Sequence, residues 1–234
     1  VNYGDLIMKC LYRTRPYEKV KGSAEKIMHK WHDRIVENVL DCKAGTFKKN
    51  VKKIVEEYDA LPIYEYVKKP RVGVVGEILV KYHPNANNNL VEIIEAEGGE
   101  AVVPSFIDFF EYGMLNKQFN FKNLSGSRKE MIFNSAALKV IEHYREYARK
   151  ACRASKRFEP DHYIEDTAIN AEKAAKEQEI DNNTKLSDEE KAAAKAEAAK
   201  AATEAVEAIK NADTKDAVEA AKTKGEAAIK AVNP

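Results

Sequence analysis

The chain has 234 residues, of which 44% are hydrophobic and 33% are charged, and its formal net charge is +1. This length suffices for one or two compact domains, and a charge near zero removes bulk electrostatic attraction as an argument for nucleic-acid binding. We find no run of about 18 uncharged apolar residues and no signal-peptide pattern, so we expect neither a membrane partner nor a membrane span.

The first 60 residues predict three amphipathic helices. Apolar residues recur at helical spacing from Tyr3 to Leu11, and Pro16 ends this first helix. A second helix follows Ser23, which we expect to be its N-cap, and a third runs from Thr46 to the break at Pro62.

The middle of the chain predicts a strand–helix–strand unit. The run Arg71–Ile78 is apolar on both faces, as in a buried parallel strand, and a helix over 88–97 leads to a second strand at 101–103. The crossover should be right-handed. Two strands make a marginal sheet, so either further strands escape the pattern or the sheet is completed by strands outside this chain.

Two more helices complete this part of the chain. Residues 106–115 form an aromatic-rich helix, and a capping box at Ser127 and Glu130 opens a long helix that ends before Pro160. We therefore expect an α/β domain over residues 1–165, Rossmann-like and helix-rich with a small parallel sheet.

The composition changes abruptly near residue 170. All 11 Tyr, all 8 Phe, the Trp and the His and Cys residues precede this point, whereas 171–234 is rich in Ala, Lys and Glu. Ser187 and Glu190 form a second capping box, and helical spacing predicts an all-α three-helix bundle over 166–234. The first of its helices is short unless it includes residues 163–169. We expect a turn at 211–214 and a last helix that reaches Pro234.

The loop after the first strand is a candidate ligand site, because ligands of open α/β sheets bind beyond the carboxyl ends of parallel strands. Its candidate ligand-binding residues are Lys81, His83, Asn85, Asn87 and Asn88. The asparagines could hydrogen-bond a ligand, and His83 could transfer a proton near neutral pH. The alternative is that the asparagines only cap a helix and shape a turn. A dinucleotide-binding glycine fingerprint is absent.

Arg13 and Arg15 are a second candidate, as a clamp for a phosphate or carboxylate. The alternative is that they complement the dipole at a helix C-terminus. We predict no catalytic residues and no metal ligands: the three cysteines are widely spaced without a C-x-x-C pair, which fits a reducing compartment.

Three stretches of the first domain resemble the large activase-related proteins of the 2-hydroxyacyl-CoA dehydratase system. They are Leu11-Tyr-Arg-Thr-Arg-Pro-Tyr-Glu18, Lys69-Pro-Arg-Val-Gly-Val-Val-Gly-Glu-Ile-Leu-Val-Lys-Tyr-His-Pro-Asn-Ala-Asn-Asn-Asn89 and Glu97-Gly-Gly-Glu-Ala-Val-Val-Pro104. The resemblance implies a cytoplasmic, interior domain of an ATP-driven electron-transfer protein. An iron–sulfur cluster and ATP are expected only in the full-length relatives, so this chain should hold no cofactor and be inactive alone. The implied partners are the missing ATPase and cluster-bearing parts, or a dehydratase.

Two runs in the second domain resemble the helical repeats of Gram-positive extracellular-matrix-binding surface proteins. They are Ile180-Asp-Asn-Asn-Thr-Lys-Leu-Ser-Asp-Glu-Glu-Lys-Ala-Ala-Ala194 and Val218-Glu-Ala-Ala-Lys-Thr-Lys-Gly-Glu-Ala-Ala-Ile-Lys-Ala-Val-Asn-Pro234. The resemblance implies a structural stalk of cell-surface origin over 171–234. The two origins do not belong together, so we expect an engineered chimera that begins with an excised segment. The alternative is a cell-surface adhesion or spacer protein with an N-terminal binding module.

Overall fold

The computed structural model describes residues 1–212 and 215–232. The chain divides into two compact units, Val1–Asp161 and His162–Pro234. The second unit thus begins four residues before the predicted boundary. Among the described residues, no helix has both the length and the apolar character needed to cross a bilayer.

The first unit contains seven α-helices and one two-stranded sheet within residues 1–161. The structure describes the backbone of all these residues and every side chain except those at 122 and 123. In chain order the elements are α1 (Asn2–Thr14), a 3-10 turn (Arg15–Tyr17), α2 (Ser23–Asp41), α3 (Ala44–Asp59), β1 (Arg71–Gly73), α4 (Ile78–Tyr82), a 3-10 turn (Pro84–Ala86), α5 (Leu90–Ala96), β2 (Glu100–Val102), α6 (Ile107–Asn123) and α7 (Arg128–Arg153).

Helices α1, α2, α3 and the C-terminal half of α7 enclose the main core of the first unit. Trp31 from α2 and Tyr58 from α3 are fully buried, and Cys152 from α7 packs in the same cluster. The three predicted N-terminal helices are confirmed, because each carries an apolar stripe at helical spacing.

The sheet consists of two short parallel strands, with Arg71 opposite Glu100 and Gly73 opposite Val102. The predicted strand at 71–78 is shorter than expected, because Gly76 adopts a φ of +140° and the Glu77 carboxylate caps α4. The prediction that it is buried is wrong, since all three residues of β1 are exposed. A small apolar cluster around Val74, Ile94 and Ala101 holds α5 against the sheet. The parallel pair is confirmed, while no third strand accompanies it in the described part of the chain.

Two helix starts differ from the predictions. Ser23 is the first residue of α2 rather than its cap, and the carboxylate of Glu18 instead accepts hydrogen bonds from the backbone N–H of Gly22 and Ala24. Ser127 is the N-cap of α7 but makes no side-chain capping bond, and the Glu130 carboxylate pairs with Lys117 at 2.9 Å. The capping box predicted at Ser127 is therefore wrong.

The second unit consists of three mutually packed helices, α8 (Ile164–Asn182), α9 (Asp188–Lys210) and α10 (Lys215–Ala231). The capping box of Ser187 and Glu190 is present, and α8 includes most of 163–169, so both predictions are confirmed. Tyr163 is buried with Ile169 and Ile209 in the core of this unit. The predicted turn at 211–214 lies partly, and Pro234 wholly, outside the described residues.

Alanines line the packed face of α9, with Ala194, Ala198, Ala202 and Ala205 buried. Small side chains let helix backbones approach closely. At the closest approach, a Cβ on Gly225 of α10 would lie 2.3 Å from the Cβ of Ala205 and 3.0 Å from Cδ1 of Ile169. Gly225 is therefore required by packing rather than by backbone conformation.

Candidate functional site

The predicted loop lies at the carboxyl end of β1, in α4 and the turn that precedes α5. The side chains of His83, Asn85 and Asn88 are exposed, and the half-buried Lys81 places its ammonium 4.7 Å from the ring centre of Tyr82. These four groups have room for a ligand from solvent.

Asn87 caps a helix and shapes a turn, which was the structural alternative considered for the loop asparagines. Its amide donates to the carbonyl of Val80 at 2.9 Å, and its Oδ1 accepts the N–H of Leu90 at 3.1 Å, at the start of α5. Asn88 and Asn89 adopt φ values of +56° and +54°, in the left-handed region that asparagine tolerates better than most residues. The loop is thus held in shape by its own asparagines.

Arg13 and Arg15 lie at the other end of the sheet. Arg13 donates to the buried carboxylate of Glu100, the first residue of β2, which also accepts from Tyr17 at 2.7 Å. Arg71, the first residue of β1, approaches the same carboxylate at 3.2 Å. Because parallel strands start at the same edge, this cluster marks the amino edge, whereas the loop lies at the carboxyl edge. The structure does not join the two candidates into one site.

Arg15 makes the bidentate contact that we expected of a clamp, but its acceptor is part of the chain. Its Nε and Nη2 donate to Glu95 of α5 at 2.7 and 3.0 Å, and its Nη1 donates to Glu25 of α2 at 3.0 Å. Burial nevertheless raises the pKa of Glu95. Both arginines therefore fasten α1 to the sheet region, and an external anion would have to displace a carboxylate.

The carboxyl edge also holds the N-terminus of α6, where an anion could bind. Asp5 of α1 already occupies this position: its two oxygens accept the N–H groups of Phe106 and Ile107 at 2.9 and 3.0 Å. Burial raises the pKa of Asp5. Nearby, Asp161 accepts from Lys9 at 2.6 Å and from Ser105 at 3.2 Å.

Sequence reasoning missed a buried ionic network between α6 and α7. Glu111 of α6 is fully buried and accepts from Arg145 of α7, which also lies 2.8 Å from Asp108. Glu142 of α7 accepts from Arg149, which in turn donates to the carbonyl of Asp161 at 3.2 Å. The sequence signal was available, because 142, 145 and 149 fall on the buried stripe of α7 that also carries Leu138 and Cys152.

The pKa values of Glu111 and Glu142 are shifted in opposite directions. Burial raises the pKa of Glu111 to about 9, with the hydrogen bond to Glu142 adding to the effect. Burial also acts to raise the pKa of Glu142, but the hydrogen bond and charge of Arg149 outweigh it and the pKa is lowered. The raised pKa therefore favours a protonated, neutral Glu111 at neutral pH. The network links α6 to α7 through charge-assisted hydrogen bonds.

The three thiols do not converge on one point. Cys10 and Cys152 lie in the main core, and burial raises the pKa of both, whereas Cys42 is exposed at the end of α2. Within 1–212 and 215–232, no three His, Cys, Asp or Glu side chains are grouped as metal ligands would be.

Comparison with known proteins gives a family match within the second unit. Residues 166–234 match the family model described as Domain of Unknown Function (DUF1542), a domain found in Gram-positive surface proteins. A search of curated proteins finds no match. A search of solved structures likewise finds none. The segment of 166–234 thus has the sequence pattern of that family.

Proposed function

We propose that the first unit is a non-catalytic docking domain from an ATP-driven, CoA-ester-linked electron-transfer system, joined to a structural surface-protein repeat. The observation that carries the proposal is the division of polar groups between the two edges of the sheet. The charged groups at the amino edge are committed to internal ion pairs, whereas the loop at the carboxyl edge leaves His83, Asn85 and Asn88 open to solvent. The assignment to an ATP-driven, CoA-ester-linked electron-transfer system rests on the resemblance of 1–165 to activase-related proteins.

The open edge of β1 supports a docking role. The N–H of Val74 donates to Val102 and the N–H of Glu100 donates to Pro70, so alternate residues of this segment face β2. In a parallel pair the intervening residues, Arg71 and Gly73, turn their backbone groups to the opposite edge. No described strand covers that edge, and a two-stranded sheet is marginal by itself. Strands of the parent protein would complete it.

The loop predicts what the docking domain would recognise. Amide and imidazole groups at the carboxyl edge suit the phosphate, ribose and amide groups of a CoA ester or a nucleotide, and Lys81 adds a positive charge. The experiment is a titration of the isotope-labelled full chain with acetyl-CoA and with ATP, followed by amide NMR shifts. We expect saturable shifts confined to residues 77–90.

Two exposed histidines provide matched variants. His83→Ala should weaken the shifts at least about threefold, whereas His29→Ala on the exposed face of α2 should leave them unchanged. Absence of loop shifts with both compounds, or equal loss in the two variants, would contradict ligand binding by the loop. If the docking-domain proposal is correct, the first unit is cytoplasmic in origin.

A second candidate function rests on the family match of 166–234. It is a cell-surface adhesion or spacer protein whose first unit is a binding module. The three-helix unit supports a spacer role, because its fully buried Ile169, Ile180, Ile209 and Ile229 tie the helices together along their length. Binding of the full chain to immobilised extracellular-matrix proteins, with no response to acetyl-CoA or ATP, would favour this function over the first.

A further inference from the structure

We propose that a cavity in the first unit, remote from the loop at 81–89, binds a small aromatic carboxylate. The cavity has a volume of about 380 Å³ and is formed where the N-terminus of α1, the end of α2, the start of α3, the start of α6 and the middle of α7 meet. Its walls include Tyr3, Val39, Ala44, Phe47, Val140 and Tyr144. Ligand pockets of proteins have such volumes and mostly apolar walls.

The walls favour an aromatic ligand. The ring centres of Tyr3 and Phe47 lie 4.7 Å apart, and those of Phe47 and Tyr144 lie 5.3 Å apart at an interplanar angle of 85°. Rings packed edge to face leave a further edge or face for a third ring in the same geometry. Val140 is 59% exposed on α7, so a bound ring would remove apolar surface from water there.

The polar groups of the cavity select the charge of the ligand. The Tyr3 hydroxyl donates to Asn38, and the Asn38 amide donates to the carbonyl of Lys43 at 3.2 Å, so these two groups are satisfied within the chain. The buried Oδ1 of Asn2, which also lines the cavity, has no hydrogen-bond partner among the described residues. Lys43, which also lines the cavity, has its ammonium 2.9 Å from Asp41 in an exposed contact. An exposed ion pair is weak and is readily exchanged. A carboxylate on the ligand would take its place beside Lys43.

Cys42 supplies the readout, because it also lines the cavity and is exposed while Cys10 and Cys152 are buried. The alkylation rate of the native full chain therefore reports access to this thiol. The probe is 2-naphthoate, and 2-naphthalenemethanol is its uncharged counterpart. We expect 2-naphthoate to slow alkylation saturably with a Kd below about 1 mM, and the alcohol to bind about two- to fivefold more weakly.

Matched variants separate the cavity from nonspecific binding. Val140→Trp fills the cavity and should weaken both probes at least about tenfold, whereas Val36→Trp, exposed on α2 outside the cavity, should not. Lys43→Met should abolish the preference for the carboxylate, and Lys48→Met, an exposed lysine of α3 that does not line the cavity, should retain it. Amide NMR spectra establish that each variant is folded.

The proposal is overturned if 2-naphthoate gives no saturable protection, or if Val140→Trp and Val36→Trp bind it equally. An equal affinity for acid and alcohol in the unaltered chain would overturn the carboxylate assignment.

Discussion

The buried pair of Glu111 and Glu142 makes the stability of the first unit depend on pH in a defined direction. The substitution Glu111→Gln keeps the size of the side chain, a hydrogen-bond acceptor for Arg145 and a donor for Glu142, but it removes the ionisable proton. The structural contacts of the network are therefore retained while its titration is lost.

The direction follows from the raised pKa of Glu111. Below pH 4.5, the ordinary value for glutamic acid, the group holds its proton in both the folded and the unfolded chain. Between pH 4.5 and about 9 the unfolded chain releases the proton while the folded chain keeps it, so the free energy of unfolding falls as pH rises. Glu142 does not add to this fall, because its lowered pKa acts only below about pH 4.5.

The magnitude is large for a single group. Each pKa unit corresponds to about 1.4 kcal/mol, so a rise from pH 5 to pH 8 should cost the first unit about 4 kcal/mol through Glu111. The Glu111→Gln variant should lack this part of the pH dependence and should be more stable than the unaltered chain at pH 8.

Urea unfolding followed by the fluorescence of Trp31 measures the effect. Trp31 is the single tryptophan of the chain and is buried in the main core of the first unit, so its signal reports that unit. Glu130→Gln is the control, because Glu130 joins the same two helices through its exposed contact with Lys117. A Glu111→Gln variant that loses stability between pH 5 and pH 8 as steeply as Glu130→Gln would refute the reasoning.

Four further substitutions test the packing and the helix caps. Gly225→Ala gains about 1 kcal/mol of helix propensity but forces a Cβ against Ala205, so we expect a net loss of about 1–3 kcal/mol in the stability of the second unit. Thermal unfolding followed by circular dichroism measures this loss, and a raised Tm would contradict the close approach. Ser187→Ala should lower the free energy of unfolding of the second unit by about 1 kcal/mol in the same assay. Ser127→Ala removes no capping bond, so it should change the free energy of urea unfolding of the first unit by less than about 0.5 kcal/mol. Equal effects of the two substitutions would contradict the two cap assignments. Asp5→Ala leaves two N–H groups at the start of α6 without their acceptor, so the urea midpoint of the Trp31 signal should fall by an amount equivalent to about 1–2 kcal/mol. An unchanged midpoint would contradict the cap.

Local patterns in the sequence predicted the helices well. The apolar stripes of α1 and α2, the capping box at Ser187 and the start of α8 all depend on residues within a few turns of one another. The position of the loop at the carboxyl end of β1 also followed from the order of elements alone.

The partners of the charged residues could not be predicted in this way. Arg13 and Arg15 find Glu100 and Glu95 some 80 residues further along the chain, and Glu111 meets Arg145 across two helices. Helical spacing reports which face of a helix is apolar, but it does not report which distant carboxylate a buried arginine will reach. The cap that Asp5 provides for α6 was hidden for the same reason.

The Asp5 cap has a consequence for the order of events during synthesis. Its partners Phe106 and Ile107 follow more than 100 residues later, and the same α1 packs against Ala148 and Cys152. Helices α2 and α3 can cover part of the apolar side of α1 early in translation, but the part that packs against α7 and the Asp5 carboxylate receive their partners only after more than 100 further residues have been made. Contacts so distant in sequence make folding slow and expose nascent chains to aggregation. The helices of the second unit pack on one another within Ile164–Ala231, a shorter span of sequence than the contacts of α1 bridge, so we expect that unit to fold first after release, although it is made last.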